Sequence, residues 1–262
     1  MIWIYDDDRL CEGHTLLEAL GITGDSERCP VISAVGAGGK TTTLHRLADE
    51  LVQAGRRVVA TTTTHIQEEE DPRFFSAPFA ADEFEEKLAE RIERFGQAWT
   101  GMPRDGRKLG ALPEEIMDRI WKQSLPVLIE ADGARRMPLK VPAGHEPVID
   151  PRTTHVVSLY GLDSLGQRFE DVCFRPELAE ALLKKERSGC VTEEDLAVLA
   201  ASKEAGRKGC PEGAAYTVIL NKADSAEKRE AALSICRKLK SRGVTRVIVT
   251  SYTEKGRRKA EY

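Results

Sequence analysis

The 262-residue sequence predicts an α/β fold, a mostly parallel sheet with helices on both faces, three layers in all. Three observations predict it. Short apolar, β-branched runs alternate with helix-like stretches, the pattern of strands joined by crossover helices. The first such run, Pro30-Val31-Ile32-Ser33-Ala34-Val35, leads into Gly36-Ala37-Gly38-Gly39-Lys40-Thr41-Thr42 and then an amphipathic stretch. Polar motifs close three other runs, and open parallel sheets bind ligands at the carboxyl ends of their strands.

The glycine-rich stretch fits the phosphate-binding pattern G-x-x-x-x-G-K-[ST], with Ala34 at the first position and Gly39, Lys40 and Thr41 at the last three. Gly36 and Gly38 keep the backbone free to bend, so its N–H groups can surround phosphate oxygens. Lys40 can reach the β- and γ-phosphates, and the Thr41 hydroxyl can ligate Mg²⁺. Leu44, Leu47, Ala48, Leu51 and Val52 recur at helical spacing, so the next helix points its positive end at the same anion. These residues read as a P-loop that binds a nucleoside triphosphate, GTP or ATP. The bland alternative is a glycine turn without a ligand.

Further along, Arg57-Val58-Val59-Ala60 begins a strand that runs into Thr61-Thr62-Thr63-Thr64-His65, expected beside the P-loop strand. A charged helix follows around residues 83–95. Leu125 to Ile129 reads as a buried strand ending in Glu130-Ala131-Asp132-Gly133. Residues 155–160, 216–220 and 245–249 read as three more strands. Between Gly161 and Gly213 the pattern is helical and polar, a helical insertion or cap on a single domain spanning 1–262.

Asp132 sits where P-loop proteins carry a magnesium-side acid, and is expected to hold the ion with Thr41. Glu130, two residues earlier, could orient a water or a substrate hydroxyl. The alternatives are a turn residue for Asp132 and a structural acid for Glu130. Asn221-Lys222-Ala223-Asp224 follows a strand and matches the N-K-x-D pattern that reads guanine. A carboxylate there accepts two hydrogen bonds from guanine, and adenine would leave it unpaired. The alternative is a polar turn. Thr62, Thr63 and His65 could contact phosphate or a second substrate, or could be a strand end with satisfied hydroxyls. Arg135, Arg136 and Lys140, in a proline-rich segment after Asp132, could bind an anionic substrate or belong to a solvated connection.

Composition bounds the rest. Net charge is −4, which implies no general attraction to nucleic acid or an anionic membrane. No membrane span or secretory signal is read from the sequence, and a cytoplasmic protein with reduced cysteines is expected. The six cysteines and five histidines show no metal-ligand spacing. The tail after Lys255 is basic and expected to fray.

The sequence resembles the YqeC family of selenium-dependent hydroxylase accessory proteins. The resemblance rests on Val35 to Thr42, Thr61 to Ile66, Glu130 to Lys140, His145-Glu146-Pro147, Gly161-Leu162-Asp163 and Leu220 to Asp224. It implies a P-loop NTPase fold and a role beside molybdenum-containing hydroxylases and the maturation of their cofactor. No Gly stands three residues after Asp132, so a D-x-x-G switch starting at that acid is absent. The leading expectation is a Mg²⁺-dependent NTPase, GTP-preferring, with Lys40, Glu130 and Asp132 carrying the chemistry. A small-molecule kinase acting on an anionic acceptor and a non-hydrolysing nucleotide-dependent adaptor are the alternatives.

Overall fold

The structure is a computed structural model that describes residues 1–22, 29–78 and 80–252. The basic tail after Lys255 lies outside the described residues. Strands β1 (Ile2–Asp6) and β2 (Arg9–Gly13) form a hairpin, followed by helix α1 (Leu16–Leu20). Then come β3 (Val31–Gly36), α2 (Lys40–Gln53), β4 (Val58–Thr62), β5 (His65–Gln67), β6 (Phe74–Ser76) and α3 (Ala81–Phe95). The middle of the chain carries β7 (Gln97–Arg104), β8 (Lys108–Gly110), α4 (Glu114–Lys122), β9 (Val127–Glu130) and β10 (Leu139–Lys140). The last third carries β11 (His155–Gly161), α5 (Phe169–Val172), β12 (Cys173–Phe174), α6 (Pro176–Leu183) and α7 (Glu193–Ala201). It closes with β13 (Ala215–Asn221), α8 (Ala226–Ser241) and β14 (Val247–Thr250).

The main sheet runs β2-β1-β14-β13-β11-β3-β9-β4-β7-β8-β5, with β6 on β7. Its centre, β14-β13-β11-β3-β9-β4-β7, is entirely parallel. The outer strands β1, β2, β8 and β5 are antiparallel additions.

Alternation along each central strand divides the core into two layers. Ile32, Ala34, Val58, Ala60, Leu128, Val157, Leu159, Ile219 and Ile248 face α1 and α2. Their neighbours Val31, Val35, Val59, Val127, Ile129, Val156, Val218, Leu220, Val247 and Val249 face α3, α4, α7 and α8. The architecture is therefore the three-layer α/β fold expected. In α2 the residues Leu44, Leu47, Ala48 and Leu51 are fully buried, which seats the helix against the sheet and aims its first turn at the end of β3. Buried Glu50 of α2 accepts the amides of Leu16 and Leu17 at 2.7 and 3.1 Å, fixing α1 on the same face.

Two expectations are corrected. The strand ending in the threonine run does not lie beside the P-loop strand, because β9 pairs with both and separates them. The P-loop strand is the third of the chain rather than the first. The 161–213 segment contains α5, β12, α6 and α7, and α7 shares the core layer of α8. Among the described residues no helix is long and apolar enough to cross a membrane.

Candidate nucleotide and metal site

Because β3, β4, β9, β11, β13 and β14 are parallel, their carboxyl ends converge on one edge. The P-loop, the threonine run, the Glu130–Gly133 turn and the Asn221–Asp224 turn all meet there. A surface concavity of about 450 Å³ lies elsewhere: Arg57, Gln123 and Leu125 line it at the amino-terminal ends of β4 and β9.

The loop from Gly36 to Gly39 is pinned from three sides. Gly36 N–H donates to Asp132 Oδ2 at 3.0 Å, Ala37 N–H to the Leu159 carbonyl at 2.9 Å, and Asn221 Nδ2 to the Gly38 carbonyl at 2.8 Å. The φ angles of Gly36, Gly38 and Gly39 are 86°, 85° and 126°, a region L side chains rarely adopt. A Cβ on Gly38 would also lie 2.3 Å from Gly161 N. We expect Gly38→Ala to abolish nucleotide binding, read by calorimetry, while far-UV circular dichroism stays that of the wild type. Among the described residues, the amides of Gly38, Gly39, Lys40, Thr41 and Thr42 find no hydrogen-bond acceptor. Five consecutive free donors at a helix start form a cradle for an anion.

Lys40 is buried at the centre of that cradle. Its Nζ donates to the Gly36 carbonyl at 2.7 Å, pairs with Asp132 Oδ1 at 3.0 Å and lies 3.9 Å from Glu130 Oε1. Glu130 ends β9 and Asp132 lies past it, yet the two carboxylates converge on this one ammonium. They differ in their other partners. Glu130 Oε2 accepts the Thr41 hydroxyl at 2.8 Å. Burial pushes the Glu130 carboxyl above its ordinary range, and Lys40 and Thr41 oppose that rise only in part. Asp132 instead accepts Gly36 N–H and pairs through Oδ2 with Lys140 Nζ at 3.2 Å.

Lys140 is fully buried and also donates to the Gly133 carbonyl at 2.6 Å and meets Glu146 at 2.9 Å. Glu146 in turn accepts Arg175 at 2.6 Å. A chain of alternating charge thus runs Lys40, Asp132, Lys140, Glu146, Arg175. Despite partial burial, the paired Arg175 and Lys140 hold the Glu146 carboxyl down to about 2. A carboxyl lowered from 4.5 stabilises the fold above that value and loses the contribution as pH falls toward 2. Thermal melts should therefore show stability falling between these pH values, and Glu146→Gln should flatten that fall while lowering stability near neutrality by about 2 kcal/mol.

The other sequence-marked residues separate. Thr62 Oγ1 donates to the Glu130 carbonyl at 2.7 Å and braces the acid turn from behind, and Thr63 Oγ1 donates to the Val148 carbonyl at 2.6 Å. His65 is exposed, its Nε2 3.8 Å from where a Cβ on Gly133 would lie. Arg135 and Arg136 are exposed on a turn with φ angles of 48° and 62°, and neither meets a carboxylate among the described residues. The Arg135 guanidinium lies over the Phe174 ring at 4.9 Å, beside Arg175 at 4.2 Å.

At the far end of the edge, Asn221 is buried between the Gly38 carbonyl and the Thr250 hydroxyl, which donates to Asn221 Oδ1 at 2.9 Å. Lys222 has a φ of 65° and pairs with Asp163 at 2.6 Å. The Asp224 carboxylate is exposed and accepts the Ser251 hydroxyl at 2.5 Å. Sequence reasoning missed Ser251 and the pairing role of Asp163. The polar strand end at Thr250-Ser251 was the available signal for the first.

This strand order, glycine loop and pinned lysine define a P-loop protein of the α/β class. The family described as YqeC protein matches residues 32–177, more than half of the chain, and the chain belongs to that family. A protein named YqeC from Escherichia coli (strain K12) is 38% identical over 149 residues, 55% of this chain and 57% of that protein. The matched part therefore spans little more than half of that relative. The crystal structure of signal recognition particle 54 kDa protein from Aeropyrum pernix K1 in complex with GDP overlays with a TM-score of 0.37 at 18% identity. The overlay covers 90% of this chain and 46% of that one, a likeness too loose to bear on function.

Proposed function

We propose that the protein is a Mg²⁺-dependent nucleoside triphosphatase that prefers GTP. One observation carries the reading: among the described residues, five unpartnered amides from Gly38 to Thr42 sit in the same loop and helix start as the buried Lys40, a site complementary to a polyphosphate. Lys40 would leave its carboxylates for the β- and γ-phosphates and stabilise the charge that develops on the transferred phosphoryl group. Oxygen ligands beside the loop, the Thr41 hydroxyl with a buried carboxylate, suit a hard divalent ion. Bound there, Mg²⁺ would supply charge neutralisation between the β- and γ-phosphates.

Base choice would fall to Asp224. Ser251 orients its carboxylate, and Asn221 ties its turn to the P-loop, so base and phosphates would be read by one connected frame. Release of inorganic phosphate from GTP by the purified protein, abolished by chelating Mg²⁺, tests the reading. Nucleotide binding without any phosphate release would leave the adaptor alternative in its place.

An accessory role in maturing a selenium- or molybdenum-dependent hydroxylase, in the cytoplasm, is supported by the family resemblance alone. Co-purification of such a hydroxylase with a tagged form of this protein, stronger with GTP than with GDP, is its test. A second reading, transfer of the phosphoryl group to an anionic small molecule, is favoured by Arg135 and Arg136, two exposed cations on the turn that follows Asp132 that meet no carboxylate among the described residues. A nucleotide-saturated protein that still binds inorganic pyrophosphate, and loses it in Arg135→Ala, would support it.

A further inference from the structure

We infer that Glu130, with Thr41, is the carboxylate that holds the divalent cation, while Asp132 is a clamp on the P-loop backbone paired with Lys140. The inference deepens the nucleotide-site reading and rests on it.

The two acids are distinguished by what each retains once Lys40 turns to phosphate. Asp132 Oδ2 keeps the Gly36 amide at 3.0 Å and the fully buried Lys140 ammonium at 3.2 Å. Its charge stays compensated, and its position stays fixed by the loop it holds. Glu130 keeps only the Thr41 hydroxyl as a direct partner, because among the described residues its one ion-pair partner is Lys40, 3.9 Å away. A buried carboxylate stripped of its cation is costly unless another positive charge arrives. The Thr41–Glu130 pair, 2.8 Å apart, presents two hard oxygens at the start of α2, the donor set a divalent cation takes.

The sequence agrees once the register is moved. No glycine follows Asp132 by three residues, but Gly133 follows Glu130 by three, so an acid-x-x-Gly turn begins at Glu130. Thr62 and Thr63 fix that turn from the neighbouring strand through the Glu130 carbonyl, at 2.7 and 3.2 Å. The carbonyl is held by β4 while the side chain faces α2.

The test is binding of a fluorescent GTP analogue, with Mg²⁺ and with chelator, to wild type, Glu130→Gln, Glu130→Asp, Asp132→Asn and Thr41→Ala. Wild type should bind more tightly with Mg²⁺. Glu130→Gln and Thr41→Ala should keep the metal-free affinity and lose at least about tenfold of the Mg²⁺ enhancement. Glu130→Asp should recover part of it, which separates loss of a ligand from loss of packing. Asp132→Asn should weaken binding with and without metal and retain the enhancement. An enhancement that survives in Glu130→Gln and vanishes in Asp132→Asn would overturn the inference, as would its loss in both. Failure of wild type to bind with or without metal would sink the nucleotide reading instead.

Discussion

Replacing Lys40 by Ala is expected to have two separate effects. Binding of a nucleoside triphosphate should fall by at least about 100-fold, because a buried ammonium aimed at the phosphates supplies interaction that neutral donors cannot replace. The folded protein should also become less stable, because Lys40 is the cation shared by two buried carboxylates, at 3.0 and 3.9 Å. Removing one partner of a buried pair costs about 3–5 kcal/mol when the other stays charged. The sign of the pH dependence is fixed by Glu130, whose carboxyl burial already pushes upward. A carboxyl with a raised folded pKa takes up a proton on folding, so the destabilisation grows as pH rises through that range. Thermal melts of Lys40→Ala should come closer to wild type at pH 5 than at pH 8. An equal deficit at both would mean that the carboxylates find another cation.

Asp224→Asn is expected to change base preference with little effect on stability, because the side chain is exposed and its turn is held through Asn221. A carboxylate held by Ser251 could accept both donors of guanine, whereas an amide there would offer one oxygen acceptor and an NH₂ donor. GTP affinity should drop by about 100-fold or more, and xanthosine triphosphate, which carries a carbonyl in place of the amine, should gain affinity. Ser251→Ala should give a weaker change in the same direction, since it removes only the orienting contact. Competition of both triphosphates against a fluorescent nucleotide reads the two variants together. Unchanged preference in Asp224→Asn would make residues 221–224 a structural turn that braces the P-loop.

Much of the fold and the edge of the site was legible in the sequence because the signals are local. A strand leading into Gly36–Thr42, the acid turn after Ile129 and the turn after Leu220 each declare a strand end by spacing alone. Parallel pairing then brings those ends together without further information. What was not legible depends on contacts distant in sequence. The β1–β2 hairpin joins the sheet through β14, more than two hundred residues away, and no periodicity records that pairing. Lys140 read as a contact for an anionic substrate or as part of a solvated connection, and nothing local signals that the short β10–β12 ladder and Glu146 bury it beside Asp132. The threonine run fitted a neighbour of the P-loop strand, yet β9 separates the two, and its hydroxyls at 62 and 63 support backbone carbonyls. Assigning the metal to Asp132 followed strand-end logic. That the Thr41 hydroxyl meets Glu130 was not legible, because it depends on side-chain reach rather than on position in one strand.

Calorimetric titration of GTP and ATP, each with Mg²⁺, into the wild-type protein tests the central claim most directly. The account predicts one site per chain, with GTP bound at least about tenfold more tightly than ATP. Equal or tighter ATP binding would contradict the base assignment, and no binding of either nucleotide would contradict the account of the site as a whole.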